Sequence, residues 1–123
     1  MITRAKIEET LGQPVNCFKD TENVACFGHK LHPGRVLFNE SGVAKRIEIS
    51  TGCIGIHGLK EKLDKVVPEK ARGKYRQRID RSVQGSCQNV YEEEYECLTI
   101  KYVQENCMGC IPASITVEWN DFP

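Results

Sequence analysis

The chain has 123 residues, of which 40% are hydrophobic and 28% are charged, and its 17 basic residues equal its 17 acidic ones. This size and composition predict a single domain with a packed core. The zero net charge argues against a dedicated nucleic-acid binder, which normally carries a basic excess, and no apolar run approaches the roughly 20 residues that span a bilayer.

The N-terminus lacks the hydrophobic segment of a signal peptide, since it begins Met1-Ile2-Thr3-Arg4-Ala5-Lys6. We therefore expect a cytoplasmic protein. The alternative is an exported protein whose leader is absent from this chain, and that origin would change how every cysteine is interpreted.

The first third of the chain reads as one helix followed by strands. Thr3 is a candidate N-cap, a helix is expected to Leu11, and Gly12 with Pro14 ends it. Strands are expected over residues 24–27 and 35–38, with a turn-rich loop from Gly28 to Gly34 between them. The next run alternates, with Val43, Ile47 and Ile49 on one side, which is typical of a half-buried strand.

The remainder reads as a second helix and about four strands. Leu59, Leu63 and either Val66 or Val67 form a helical stripe that ends near Pro68. Strands are expected over residues 74–79, 90–95, 98–102 and 115–119, with a bulge or bend near Cys97. This order predicts an α+β fold, an antiparallel β-sheet with two short helices packed on one face.

Opposite charges follow each other in the second half. Residues 60–81 hold nine basic and four acidic residues, and Glu92, Glu94 and Glu96 alternate downstream. If residues 72–78 form a strand, the basic side chains Arg72, Lys74, Arg76 and Arg78 share one face. Antiparallel pairing around Gly85 would then set Arg78 opposite Glu92, Arg76 opposite Glu94 and Lys74 opposite Glu96, which largely neutralises the basic face.

The seven cysteines suggest metal binding as an alternative function. Zinc is held by thiolate and imidazole ligands, usually four in a structural site. One candidate group lies within residues 26–32, with Cys17 upstream of it. A second is a CxxC knuckle near the C-terminus. The candidate ligands are Cys26, His29, His32, Cys107 and Cys110. Free thiols, disulfides and a redox pair are the other interpretations of the same cysteines, and an odd count leaves at least one sulfur outside intramolecular pairing.

No local catalytic signature is found in the sequence. Cys53 and His57 could be written as nucleophile and base, although a small buried thiol explains Cys53 as well. There is no GxSxG and no HExxH pattern. We therefore expect no enzyme, with a small-ligand or active-site pocket between helices and sheet as an alternative.

Residues 2–49 resemble a known family. The run Ile7, Leu11-Gly12-Gln13-Pro14, Val36-Leu37-Phe38, Gly42-Val43 and Ile47 resembles the helix, "LGxP" stop and hairpin of the SmpA/OmlA-like domains, which share their fold with the β-lactamase-inhibitor proteins. The resemblance implies a non-catalytic domain that binds another protein through an exposed sheet face.

The function expected from these observations is that of a non-enzymatic protein-binding domain, of the inhibitor or immunity type. Its partner is expected to be another protein rather than nucleic acid, and a homodimer through an edge strand is possible. Several aromatic side chains should then form one exposed patch. The candidates are Tyr91, Tyr95, Tyr102 and Trp119.

Overall fold

The computed structural model describes residues 2–15, 23–29, 32–51, 56–105 and 113–120. Within these ranges the chain forms three helices and one seven-stranded sheet. In chain order the elements are α1 (Arg4–Leu11), β1 (Val24–His29), β2 (His32–Phe38), β3 (Ala44–Thr51), α2 (Ile56–Val66), α3 (Glu69–Arg72), β4 (Tyr75–Asp80), β5 (Gln88–Tyr95), β6 (Leu98–Glu105) and β7 (Ala113–Trp119).

The strands lie in the order β1-β2-β3-β7-β6-β5-β4, and every neighbouring pair is antiparallel. Two meanders, β1 to β3 and β4 to β7, therefore join where β3 pairs with β7. The α+β class and the antiparallel sheet are confirmed, whereas the four-residue α3 is a helix that the sequence pattern did not predict. None of the helices in the described ranges is long and apolar enough to cross a membrane.

Helix α1 begins and ends where its sequence predicts. The Thr3 hydroxyl accepts a hydrogen bond from the Lys6 amide at 3.3 Å, which satisfies one of the unpaired amides of the first turn. At the other end Gly12 adopts φ +86° and its N–H donates to the Glu8 carbonyl at 2.8 Å. Ile7 is fully buried and holds α1 on the core.

The β1–β2 hairpin is longer than predicted. The expected loop from Gly28 to Gly34 is wrong, because both strands continue until His29 pairs with His32. Glycine permits this at position 34, where a Cβ atom would lie 3.0 Å from the Glu48 carbonyl of β3. Gly28, Pro33 and Gly34, which signalled a loop, are accommodated within paired strands.

The core is built from alternate residues of the central strands. Ile47 of β3 lies opposite Val117 of β7, which lies opposite Ile100 of β6, and all three are at most 1% exposed. Leu63 of α2 is also fully buried, and α2 contacts both β7 and β3, while α1 contacts α2 and β1. Burial of each such side chain stabilises the fold by roughly 1.5–3 kcal/mol. The predicted alternation in β3, β6 and β7 is confirmed.

The chain bends at the β5–β6 connection, near Cys97, as expected. The two strands are joined through Glu96 and Cys97, and Tyr91 of β5 lies opposite Tyr102 of β6. Residues of opposite sequence parity therefore share one face across this hairpin.

The predicted register of β4 against β5 holds at Tyr75, which lies opposite Tyr95, but it is wrong by one residue from Gln77 onward. Arg78 lies opposite Glu93 rather than Glu92, and Gln77 rather than Arg76 lies opposite Glu94. The strand has an irregularity between Tyr75 and Gln77.

The backbone hydrogen bonds at the two ends of β4 belong to different registers, the predicted one at Lys74 and the shifted one at Arg81. The Lys74 carbonyl accepts from the Glu96 amide at 2.8 Å, and at the other end Arg81 N–H donates to the Val90 carbonyl at 2.7 Å. Edge-to-face contact of Tyr75 with Tyr95, at 5.5 Å between ring centroids, accompanies the predicted register at the start of the strand, and the register shifts after it. A one-residue shift moves side chains to the other face, so Arg78 leaves the face of Glu92 and joins that of Glu93 and Tyr91.

Candidate functional site

Of the five predicted metal ligands, only Cys26 has a side chain among the described residues. Cys26 is fully buried in β1 and is disulfide-bonded. The backbones of His29 and His32 pair across the β1–β2 hairpin, but their side chains lie outside the described residues, as do Cys107 and Cys110. In the described ranges no group of three or more histidine, cysteine, aspartate or glutamate side chains is placed to hold a metal ion.

The oxidation state of the other described cysteines also bears on the zinc hypothesis. Cys87, before β5, is disulfide-bonded, whereas Cys97 is a free thiol. Zinc binds cysteine as thiolate, so a site that uses Cys26 would require its disulfide to be reduced first. The zinc site stays a prediction, as does the pairing of Cys53 with His57, because Cys53 and the His57 side chain lie outside the described residues.

The aromatic residues expected on an exposed patch are mostly covered. Tyr102 is 3% exposed, and Tyr91, Tyr95 and Trp119 are partly buried against the core. The most exposed aromatic side chain of the described chain is Tyr75, at 49%. The sequence pattern missed Tyr75 because it stands among basic residues of β4 rather than in an apolar stripe.

A column of stacked side chains stands beside β4. The rings of Tyr91 and Tyr102 stack with centroids 4.6 Å apart and planes 18° from parallel. The Arg78 guanidinium carbon lies 4.1 Å from the Tyr91 centroid. Because Tyr102 occupies one face of Tyr91 at that range, Arg78 covers the other. Lys60 of α2 adds a second cation, 4.9 Å from the Tyr102 centroid.

Arg72 is a buried cation that contacts Tyr95, a residue of the same strand as Tyr91. The sequence pattern placed it on a strand with Lys74, but it ends α3 and is only 4% exposed. Its guanidinium donates to the Val67 carbonyl at 3.0 Å, to Asp64 Oδ1 at 2.8 Å and to the Tyr95 hydroxyl at 3.3 Å. Burial alone would lower the pKa of Arg72, but the hydrogen bonds with Tyr95 and Asp64 outweigh it and raise that pKa.

The hydroxyl groups of Tyr95 and Tyr102 face the carboxylate of Glu93. Burial raises the pKa of Tyr102 far above its ordinary value of 10.0, and a hydrogen bond to Glu93 raises it further. Burial also raises the pKa of Tyr95, against the opposing effect of Arg72. The Tyr95 hydroxyl donates to Glu93 at 3.4 Å. At neutral pH these two tyrosines supply hydrogen bonds rather than a base.

The glutamates of β5 leave most cations of β4 unpaired. Glu92 pairs with Arg81 at 3.6 Å, Glu94 accepts from Gln77 at 2.7 Å, and Glu93 accepts from Tyr95. Within the described residues no carboxylate lies within salt-bridge distance, 4.0 Å, of four cations beside this strand. We call them the basic edge: Lys60, Lys74, Arg76 and Arg78.

An open cleft adjoins the basic edge at the start of β4. It is lined by Glu69, Lys70, Gly73, Tyr75 and Tyr95. Gly73 adopts φ +78°, and a Cβ atom there would lie 2.8 Å from the Cβ of Glu96. Glycine is therefore required for α3 to approach the β5–β6 hairpin, and this approach places Arg72 and Tyr75 beside Tyr95.

Arg78 is the group of this site best placed to meet an external ligand. One face of its guanidinium is held against Tyr91, while its N–H groups have no carboxylate partner in the described chain. A stacked guanidinium keeps its in-plane donors free for a carboxylate or phosphate, which it binds through two parallel hydrogen bonds. The arrangement suits the binding of an acidic group.

Comparison with known proteins adds no family. No family model, no curated protein and no solved structure matches this chain. The resemblance of residues 2–49 to the SmpA/OmlA-like domains therefore stays a prediction. The function must be argued from the geometry of the described residues.

Proposed function

We propose that this protein is a non-enzymatic binding domain that recognises an acidic surface of another protein through its basic edge. The observation that carries the proposal is Arg78, stacked on Tyr91 at 4.1 Å and without a carboxylate partner in the described residues. Lys74 and Arg76 precede it in the chain, and Lys60 of α2 lies 4.9 Å from the centroid of Tyr102, on which Tyr91 stacks.

Two other arginines of the sheet share a carboxylate partner. Arg35 of β2 donates to Glu48 of β3 at 2.8 Å, and Arg46 lies 3.1 Å from the same carboxylate. A partner gains little from meeting charges that neutralise one another. Electrostatic complementarity therefore favours the basic edge as the contact surface.

We infer that α1 and α2 cover the sheet face that carries Ile47, Val117 and Ile100. These side chains are at most 1% exposed, as are Ile7 of α1 and Leu63 of α2, and both helices contact the sheet. That arrangement leaves the margin at β4 and the opposite face for a partner. The exposed side chains Tyr75 and Val83 both belong to the β4–β5 hairpin or its base, so apolar contact area is also found there.

Preorganisation makes Arg78 an efficient contact. Its stacking on Tyr91 restricts the side chain before the partner arrives, so less conformational entropy is lost on binding. A hydrogen bond to a charged group contributes about 1.5–3 kcal/mol. Arginine and tyrosine are also among the residues that most often dominate protein interfaces.

The experiment compares two charge-removing double variants. The test variant is Arg76→Ala with Arg78→Ala, and the matched control is Lys6→Ala with Lys45→Ala. Lys45 belongs to β3, which three strands separate from β4, and Lys6 belongs to α1, which contacts α2 and β1. A partner captured from the producing organism is purified, and its affinity for each variant is measured by calorimetry at two salt concentrations.

We expect the test variant to bind about tenfold more weakly or worse, with a shallower salt dependence, and the control to bind as the wild type does. The contact on the partner should be rich in aspartate and glutamate. Equal affinity of both double variants for the partner would place the contact elsewhere and refute the proposal.

We further propose that the protein works in an oxidising compartment, the exported alternative of the sequence analysis. Its support is that Cys26 and Cys87 are disulfide-bonded. Intact mass under denaturing conditions should rise by about two mass units per bridge on reduction. Bound zinc in the native spectrum together with fully free thiols would instead support the metal-stabilised alternative.

A further inference from the structure

We propose that the acidic partner contributes an extended segment that adds to β4 as an eighth strand. This inference rests on the proposed function and specifies how the basic edge is engaged. It predicts main-chain hydrogen bonds to β4 in addition to the contacts of its basic side chains.

The outer edge of β4 presents backbone groups without a partner in the described chain. Arg81 N–H bonds to Val90, so hydrogen-bonded pairs along β4 include Arg81 and, by the alternation of an antiparallel ladder, Ile79 opposite Glu92. Arg78 and Asp80 fall in the intervening pairs. Their N–H and C=O groups therefore point away from β5, towards the free edge.

The two margins of the sheet differ in this respect. At β1, Val15 forms an antiparallel bridge to Cys26, and its N–H donates to the Cys26 carbonyl at 2.7 Å. At β4, no strand or bridge of the described residues lies beyond the terminal position in the sheet order. Five of the six β4 residues are exposed and none is proline, so the edge is accessible along its length.

Charge decides which strand can occupy this edge. Residues 74–81 hold four basic residues and one acidic one, so a second copy of the chain would bring together two strands of the same net charge. Such charges guard an edge against self-association. An acidic extended segment instead supplies carboxylates to Lys74, Arg76 and Arg78, and cross-strand pairs of opposite charge are favourable.

The column at Tyr91 gives the added strand a defined anchor. Arg78 is held in place on Tyr91 and has outward-pointing backbone groups at the same position. One residue of the partner strand can therefore meet both the main chain and the guanidinium of Arg78. Tyr75, at the start of β4, offers an exposed ring beside that strand.

The test uses two synthetic peptides of the same charge. The first is a blocked peptide of about eight residues that alternates glutamate with valine, and the second carries N-methyl groups on alternate backbone nitrogens along one edge. Methylation removes the donors that a ladder needs but keeps every carboxylate. Affinities are measured by fluorescence anisotropy with the wild type, with Arg76→Ala/Arg78→Ala and with Lys6→Ala/Lys45→Ala.

We expect the wild type to bind the unmodified peptide. Its affinity for the N-methylated peptide should be about tenfold lower. The unmodified peptide should slow amide exchange at Arg78 and Asp80, with no change at Ile79, whose amide already faces β5. The Arg76/Arg78 variant should lose affinity for both peptides, and the Lys6/Lys45 control for neither.

Three results would overturn the inference, and they separate it from the proposed function. Equal affinity for both peptides, lost in the Arg76/Arg78 variant, would leave an acidic contact without strand addition. Protection of the Arg78 amide with dimer formation in the absence of peptide would make a second copy the occupant. Absence of binding to either peptide would exclude addition of an acidic strand, whereas the proposed function fails only if the Arg76/Arg78 variant keeps its natural partner.

Discussion

The centre of the sheet and its β4 margin carry very different residues on the same cross-strand row. From β3 through β7 to β6 this row consists of Ile47, Val117 and Ile100, all buried. It then continues through Glu93 of β5 to Arg78 of β4. The ladder geometry is shared, so burial rather than strand pairing separates the two regions.

This difference separates the residues that stabilise the fold from those whose hydrogen-bonding groups lack a partner in the described chain. Apolar side chains in the centre gain free energy from contact with one another and need no external partner. Charged side chains at the margin gain little from neighbours that are already engaged, and Arg78 retains donors that only an outside group can use. We therefore locate stability in the centre and recognition at the margin.

The largest expected effect is that of truncating a central side chain. Ile115 of β7 is fully buried, and Ile115→Ala should lower the free energy of unfolding by about 2–5 kcal/mol in urea titration, because a cavity adds to the lost burial. Ile79→Ala in β4, which is partly exposed, is the matched variant and should cost about 1 kcal/mol or less. A loss at Ile79 as large as at Ile115 would break the contrast between centre and margin.

The second effect concerns Arg72, the buried charge that joins the two regions. Arg72→Ala leaves the Val67 carbonyl and the Tyr95 hydroxyl without their donor and should lower the free energy of unfolding by about 2–3 kcal/mol. Lys70→Ala, on the exposed side of the same helix, should change it by about 0.5 kcal/mol at most. Full stability of Arg72→Lys would show that the planar guanidinium is dispensable.

A third, pH-dependent effect tests the tyrosines against Glu93. The folded state raises the pKa values of Tyr95 and Tyr102 above their ordinary 10.0, so the unfolded chain loses these protons first as pH rises. The stability that they contribute is complete below about pH 10 and declines above it. Urea titrations at increasing alkaline pH should show this decline, and Tyr102→Phe should make it shallower. An unchanged slope in that variant would remove Tyr102 as its source.

The smallest effect lies at the end of β4, where Asp80 accepts a hydrogen bond from the Ser82 amide at 2.9 Å. This bond, with help from the Ser82 side chain, lowers the pKa of Asp80 below its ordinary 3.8. The contribution of the ionised carboxylate is present above about pH 4 and is lost as pH falls through the lowered pKa. The Asp80 midpoint in an NMR titration should fall below 3.8, and a midpoint at or above that value would contradict the turn geometry.

The parts of the fold that were predicted depend on short-range patterns. The start of α1 at Thr3 and its end at Gly12 follow from capping chemistry, and the alternation in β7 follows from the two-residue period of a strand. The turn-rich run from Gly28 to Gly34 misled because glycine serves close strand approach as readily as it serves a turn.

The candidate site was predicted least well. Its basic residues were identified, but their neutralisation by β5 was wrong because cross-strand charge pairs contribute only about 0.2–1 kcal/mol each. The strand is irregular between Tyr75 and Gln77, and beyond that point such pairs do not outweigh the backbone bond of Arg81 to Val90, which fits the shifted register.

By itself the sequence determined the α+β class, the order of α1, α2 and the seven strands, and the apolar alternation, because each depends on the periodicity of neighbouring residues. Tertiary structure alone decided that Arg72 is buried, that β4 ends the sheet, and that Arg78 stacks on Tyr91 without a carboxylate. These outcomes depend on which distant strands meet and in which register. Small differences in contact energy between distant segments settle that choice, and no local pattern records them.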